Sequence, residues 1–415
     1  KGGEQVIMKI KGILLELLIE IAPEVYGPYV VMEDGKSVIY LEVLRALYGM
    51  LISALIWYRK IRKDMESIGF IFNPYDPCVA NRNVKGTQQT ARFHVDDLKS
   101  SHLEPRVNDL FLVWLNKMYG SHGEVTATRG TSHDYLGMRF DYSTPGQVTI
   151  DMVDYMTKMV DEFPFPLTKS VPTPAAENVF QVDESSPLLD QERAEIFHTF
   201  VAKALFACKR SRCDLQVAVA MLCTRVKSPT EEDWKKLLRM LHYVKNSLND
   251  VLNLRADDLS IVRWYVDASF AVHPDFKSHT GVAMTYGAGV PIAMSRKQKL
   301  NTRSSTEAEL VGVDDGVNLI LWTKLFLEAQ GCTIKVNTVF QDNQSAILLE
   351  VNGKRSSSKR TRALNIRYFF VTDQVESGNM SIEYCPTKSM IADFFTKPLQ
   401  GELFLKFKRF IMGFD

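Results

Sequence analysis

The 415-residue chain has little of what marks a secreted, fibrous or membrane-embedded protein. Its six cysteines (Cys78, Cys208, Cys213, Cys223, Cys332 and Cys385) are scattered. Only Cys208 and Cys213 lie close together, and no second pair completes a zinc site. The expectation is a set of buried, reduced thiols in an intracellular protein. No signal peptide is read, and no apolar run is long enough to span a bilayer. The most apolar early stretch, IKGILLELLIEIAP from Ile10 to Pro23, is broken by Lys11, Glu16 and Glu20. Within it Ile10, Ile13, Leu14, Leu17, Leu18 and Ile21 recur at helical spacing, which predicts an amphipathic helix packed on a core. An excess of one charge is lacking too: 50 Lys and Arg face 49 Asp and Glu. No global field therefore advertises a polyanionic partner, and any nucleic-acid surface has to be a local patch. The chain opens on KGGEQV without a methionine, which suggests a piece of something longer.

Length predicts two or three domains. Up to about residue 160, helix-like and strand-like segments mix. RALYGMLISALIWYRKIRKDMESIG reads as a long helix closed by Gly69. TARFHV and LKSSH flank Asp96-Asp97 as a hairpin, and HDYLGMRFDYS pairs with QVTIDM across a Pro145-Gly146 turn. The proline-bearing stretch 164–195 reads as a linker. Residues 196–258 are helical, the last helix introduced by Ser228-Pro229-Thr230. Residues 259–400 alternate strands and helices, which predicts an α/β (α+β) domain with a mixed sheet covered by helices. Residues 401–415 are left as a tail.

Four acids of the last domain sit where chemistry would want them. Asp267 interrupts a strand bound for burial (WYVDAS). Glu309 lies in the first turns of a helix, Asp342 ends the strand TVFQD, and Asp393 interrupts the apolar stretch MIADFF. Converging at the strand ends of a sheet, they could hold two divalent ions in an all-oxygen site suited to Mg²⁺ or Mn²⁺ and to phosphodiester hydrolysis. Taken singly, each has a plainer use: Asp342 as a helix cap, Glu309 at a helix's positive end, Asp267 as a salt-bridged core acid.

The motifs in order tip that balance. YVDASF, SSTEAEL, FQDNQSAILLE and SIEYCPTKSMIADFFTKPLQG resemble the RNase H domain of copia-type LTR retrotransposon polyproteins. FHVDDLKSSH and LRALYGMLISALIWYRKI resemble parts of their reverse transcriptase. HTFVAKALFACKRSRCDLQVAVAMLCTRV resembles the connection, with Cys213 where the family usually has proline. The resemblance implies a partial polymerase palm over 1–163, a linker at 164–195, a helical connection over 196–258 and an RNase H-like five-stranded mixed sheet over 259–400. It implies that Asp267, Glu309, Asp342 and Asp393 are catalytic metal ligands, two Mg²⁺ or Mn²⁺ per site, with Glu307 a competitor for the role of Glu309. Asp96 and Asp97 are implied as polymerase ligands whose third aspartate lies before residue 1 or was lost.

The implied partners are an RNA–DNA hybrid, an RNA template, a DNA primer and the rest of the polyprotein, with no membrane. The implied location is a cytoplasmic particle or the nucleus. Two basic runs suit sequence-independent phosphate contact: Arg296, Lys297, Lys299 and Arg303, and then Lys354, Arg355, Lys359, Arg360 and Arg362. Two competing readings are a decayed copy without activity and a nucleic-acid-binding remnant that needs no metal.

Overall fold

The structure, a computed structural model, describes residues 6–44, 47, 50–353 and 365–414. Its contacts divide the chain into Lys1–Phe72 with Cys78–Val107, and Asn73–Pro77 with Asn108–Asp415.

In the first unit, β1 (Ile7–Lys11) is followed by helices α1 (Ile13–Ile21) and α2 (Pro23–Tyr26), then by β2 (Val31–Glu33) and β3 (Lys36–Glu42). The strands pair antiparallel in the order β1-β3-β2. The expected amphipathic helix needs correction here. Ile10 belongs to β1, and Gly12, at φ 63°, separates strand from helix. Leu15 is the buried residue of α1, while Ile13, Leu14, Leu17 and Ile21 are exposed. Seven of the nine residues ILLELLIEI are apolar, so the pattern does not say which face turns inward. Contact with β1 and β3 selects the stripe through Leu15.

Helix α3 (Leu51–Glu66) gives way to Gly69 at φ 88°, as its sequence predicts. Its Ile61 and Met65 are buried, as are Phe70, Phe72 and Phe93, and the Phe72 and Phe93 rings meet edge to face. A four-stranded antiparallel meander follows: β4 (Ile71–Phe72), β5 (Val79–Val84), β6 (Thr87–His94) and β7 (Asp97–Ser101).

Helix α4 (Pro105–Tyr119) runs into the second unit. There β8 (Ser132–Tyr135), β9 (Met138–Asp141) and β10 (Gln147–Asp151) form the expected antiparallel ladder. Helices α5 (Val153–Asp161), α6 (Gln191–Cys208), α7 (Gln216–Cys223) and α8 (Glu231–Asn246) follow. The predicted start of α8 is a reciprocal cap: the Asp233 N–H donates to Thr230 Oγ1, and the Thr230 N–H donates to the Asp233 carboxylate. Strands β11 (Leu252–Ala256), β12 (Ile261–Ser269), β13 (His279–Thr285), β14 (Gly287–Ala288) and β15 (Ile292–Lys297) lead to the long helix α9 (Ser305–Ala329). Then come β16 (Val336–Gln341), α10 (Gln344–Asn352), α11 (Asn365–Glu376), β17 (Ser381–Tyr384), α12 (Asp393–Thr396) and α13 (Gly401–Met412).

The mixed five-stranded sheet has the order β15-β13-β12-β16-β17. In it β13 runs antiparallel to both β15 and β12, and β12, β16 and β17 run parallel. Helix α9 lies on the face carrying Trp264, Val266 and Val282. Its approach is close because Gly312 and Gly316 carry no side chain: a Cβ there would meet Ala268 at 3.4 Å and Val282 at 3.3 Å. Helix α12 covers part of the opposite face, against β12, β13 and β15.

Two sequence-based boundaries are corrected. The supposed linker is packed, with Leu167, Ala175, Val179, Phe180 and Leu189 buried in a core shared with α5 to α8. The supposed tail is helix α13, whose Phe404, Phe407, Ile411 and Met412 enter the same core beside Phe394 and Phe395. Both stretches carry large apolar residues among their prolines and charges, and burial of that surface outweighs turn-forming composition. The six cysteines form no disulfide. Cys208, Cys213 and Cys385 are buried, but Cys332 is exposed, contrary to the expectation of buried thiols throughout.

Candidate metal centre

Three of the four predicted nuclease acids meet. One carboxylate oxygen each from Asp267, Asp342 and Asp393 lies within 4.8 Å of the others. Asp267 lies near the C-terminal end of β12. Strand alternation puts it on the face opposite Val266, together with Tyr265. Its cross-strand partner on β13 is Gly281. A Cβ at Gly281 would fall 2.7 Å from Thr396 Cγ2 and 2.8 Å from the Ala392 carbonyl oxygen. The missing side chain thus makes room for α12, which brings Asp393 to Asp267. Asp342 follows the last residue of β16, the parallel neighbour of β12.

The carboxylates are held from several sides. Thr396 Oγ1 donates to Asp267 Oδ2, and Thr387 Oγ1 donates to Asp342 Oδ2 at 2.8 Å. Gln341, directly before Asp342, accepts from the Asp342 N–H at 2.8 Å and donates to Glu309 Oε2 at 3.2 Å. Glu309 is buried, but it approaches from the α9 side of the sheet and stands outside the tight trio. Its competitor Glu307 is used elsewhere, accepting from the Arg303 N–H at 2.7 Å at the start of α9.

Burial raises the Asp267 carboxyl above its ordinary value, against the pull of Lys397. Burial, and then the charges of Asp267 and Asp342, raise Glu309. Burial and Asp267 push Asp393 up to about 7. A cluster whose charged form is this disfavoured suits a cation, and its all-oxygen donors suit a hard one such as Mg²⁺ or Mn²⁺.

Sequence reasoning missed Lys397, Thr387, Thr396 and Gln341, although all four stand inside or beside the motifs that carry the acids. It also missed Glu350 on α10, which is fully buried with neither carboxylate oxygen hydrogen-bonded among the described residues. Burial pushes this group to about 8 from an ordinary 4.5. A carboxyl raised in the folded state holds a proton that the unfolded chain has lost, so stability drops as pH climbs from 4.5 through 8. Glu350→Gln is expected to stabilise the protein by about 1–2 kcal/mol at pH 9 and hardly at all at pH 5. Thermal unfolding at the two pH values checks this, and an equal shift at both would refute it.

The other predicted residues are not gathered in this way. Asp96 and Asp97 are exposed at the tip of the β6–β7 hairpin, and no third carboxylate, histidine or cysteine joins them among the described residues. The turn is held in a left-handed backbone at Val95, φ 56°, and the Trp57 indole N–H from α3 donates to the Val95 carbonyl. Of the first basic run, Arg296 is paired with Asp315 at 2.6 Å and Lys297 with Asp275 at 2.7 Å. Lys299 and Arg303 are exposed. Lys354, Arg355, Lys359, Arg360 and Arg362 lie outside the described residues. Among the described residues, no helix is long and apolar enough to cross a membrane.

No protein-family model matches the sequence. The chain is 25% identical over 370 residues to the Retrovirus-related Pol polyprotein from transposon TNT 1-94 of Nicotiana tabacum, covering 88% of this chain and 27% of that protein. It is 26% identical over 368 residues to the Retrovirus-related Pol polyprotein from transposon RE1 of Arabidopsis thaliana, covering 88% and 24%. Among solved structures, the prototype foamy virus protease-reverse transcriptase aligns over 92% of this chain and 43% of that one, at 13% identity. The TM-score of 0.23 is too low for that likeness to bear on the fold. The chain spans about a quarter of the length of the two curated relatives. Over most of its length, then, the chain is similar to the Pol polyproteins of plant retrotransposons.

Proposed function

We propose that the second unit is a metal-dependent nuclease of the RNase H kind, cutting the RNA strand of an RNA–DNA hybrid. The observation that carries this reading is the buried trio Asp267, Asp342 and Asp393, drawn from two parallel strands and a helix of a mixed five-stranded sheet. Its support is the similarity to Pol polyproteins over 88% of the chain, together with the motif resemblance read from the sequence. The three carboxylates would hold a divalent ion, with Glu309 contributing from the α9 side. When bound, such an ion supplies an activated water and stabilises the leaving oxygen. The protein's own part is geometric. Thr387 and Thr396 orient two carboxylates, and Gln341 ties Asp342 to Glu309. Lys299 and Arg303, on the segment leading to Glu309, would meet backbone phosphates without reading sequence. The polymerase roles of Asp96 and Asp97 belong to the whole polyprotein and rest on the resemblance alone.

The test is cleavage of a labelled RNA–DNA hybrid with Mg²⁺ or Mn²⁺. The expected result is cutting that EDTA stops and that Asp342→Asn lacks. Hybrid binding unaffected by EDTA and by the substitution, with no cutting, would favour the metal-free binding remnant. Folded protein that neither cuts nor binds would favour the decayed copy.

A further inference from the structure

Lys397 ends the segment ADFFTK and projects from the turn after α12 into the carboxylate trio. Its Nζ lies 2.6 Å from Asp393 Oδ1 and 3.7 Å from Asp267 Oδ2. The two acid side chains are 7% and 3% exposed, so their negative charge is held almost out of water. The lysine side chain is 39% exposed and keeps one flank open to solvent. Two buried carboxylates facing each other without a cation would be strongly destabilising. A flexible ammonium with an open flank can neutralise them and still leave, because its four-carbon stem pivots without disturbing the backbone.

We propose that Lys397 is the stand-in cation of the metal-free site, and that a divalent ion enters by displacing it. This rests on the metal-binding reading of the trio. A dipositive ion and an ammonium cannot share the same carboxylate oxygens at contact distance without repulsion. Loading is therefore an exchange in which the ammonium turns into solvent as the ion enters, and no bond to carbon or phosphorus changes. The lysine holds the empty centre together and weakens apparent metal affinity. It makes Lys397 a positioning residue for the carboxylates in one state and a competitor in the other. None of the other polar contacts to the trio has this property, since Thr387 and Thr396 bring no charge.

The experiment titrates the full chain with MnCl₂ alone, reading free Mn²⁺ by electron paramagnetic resonance. Lys397→Met is expected to bind Mn²⁺ about tenfold tighter or more, since a unit charge a few ångströms from the ion has been removed. The same variant is expected to melt earlier than wild type in EDTA. Lys397→Arg, which keeps the charge, stays near wild-type affinity. An affinity unchanged in Lys397→Met would overturn the proposal. A second measurement needs no variant: acetylation of Lys397 by acetic anhydride, followed by mass spectrometry, with and without Mn²⁺. The exchange predicts labelling several-fold faster with the ion, and an equal rate refutes it. If wild type binds no Mn²⁺ that Asp342→Asn abolishes, the metal reading itself fails, and the role of Lys397 fails with it.

Discussion

Asp267→Asn is expected to remove metal-dependent cleavage of an RNA–DNA hybrid while raising the melting temperature of the metal-free protein. The two effects share one cause. Asp267 lies near the C-terminal end of β12 and is almost fully buried, and its carboxyl is raised by burial despite the nearby Lys397 ammonium. Asparagine has the same shape and no charge, so it relieves the repulsion with Asp393 and Asp342 while Thr396 keeps an oxygen to donate to. The gain is expected to be larger at pH 8 than at pH 4, because a carboxyl raised in the folded state costs stability only once the unfolded chain has lost its proton. Activity moves the other way. Losing one of three oxygens that gather an ion costs roughly two to three orders of magnitude, as removal of a single transition-state-stabilising group does elsewhere. Single-turnover cleavage and a melt in EDTA, run on the same preparation, check both halves. A variant that cuts normally would sink the site assignment, and one that is inactive and also less stable would mean Asp267 is a structural acid.

Asp214→Asn is expected to cost about 3–5 kcal/mol, because it removes the carboxylate in direct contact with a buried guanidinium and leaves it only the more distant Asp250, at 4.0 Å. Arg212 and Asp214 are 1% and 0% exposed at their side chains, and they form a two-pronged pair at 2.9 and 2.8 Å. Arg212 also donates to the Ser247 carbonyl at 3.0 Å and to Ser247 Oγ at 2.8 Å, and Tyr243 OH donates to Asp214 Oδ2 at 2.8 Å. Burial by itself would raise the Asp214 carboxyl, but the Arg212 charge and hydrogen bonds hold it below its ordinary value. A depressed carboxyl contributes stability at neutral pH that fades as pH falls below about 4, toward its folded-state value. Urea unfolding at pH 7 gives the loss. The double replacement Arg212→Met with Asp214→Leu should recover most of it, since an apolar pair leaves no charge behind. A single variant costing under 1 kcal/mol would refute the argument.

Much of this was readable in the residues, and the failures have physical reasons. The Ser228-Pro229-Thr230 start of α8 stands as the sequence predicts, because capping chemistry is local. Asp267, Asp342 and Asp393 were legible because an acid in an apolar strand or helix conflicts with its surroundings. Glu309 is buried, but how near it comes to the trio depends on how closely α9 sits on the sheet, where Gly312 and Gly316 carry no side chain. Lys397 was invisible as a partner because a lysine after an acid in a polar turn has every local reason to face water. The stretch 164–195 and helix α13 were misjudged for a related reason. Proline and charge report what the backbone does locally, whereas burial of Val179, Phe180, Phe404 and Phe407 depends on partners far along the chain.

The short helix that carries Asp393 is walled by β13 on one side and by α7 on another. Its Phe394 and Phe395 belong to the core that also holds Phe197, Leu215 and Leu241. The carboxylate trio is therefore not a detachable cassette. A fragment trimmed to begin at residue 259 would keep every acid of the site but lose one wall of the socket that aims the third of them.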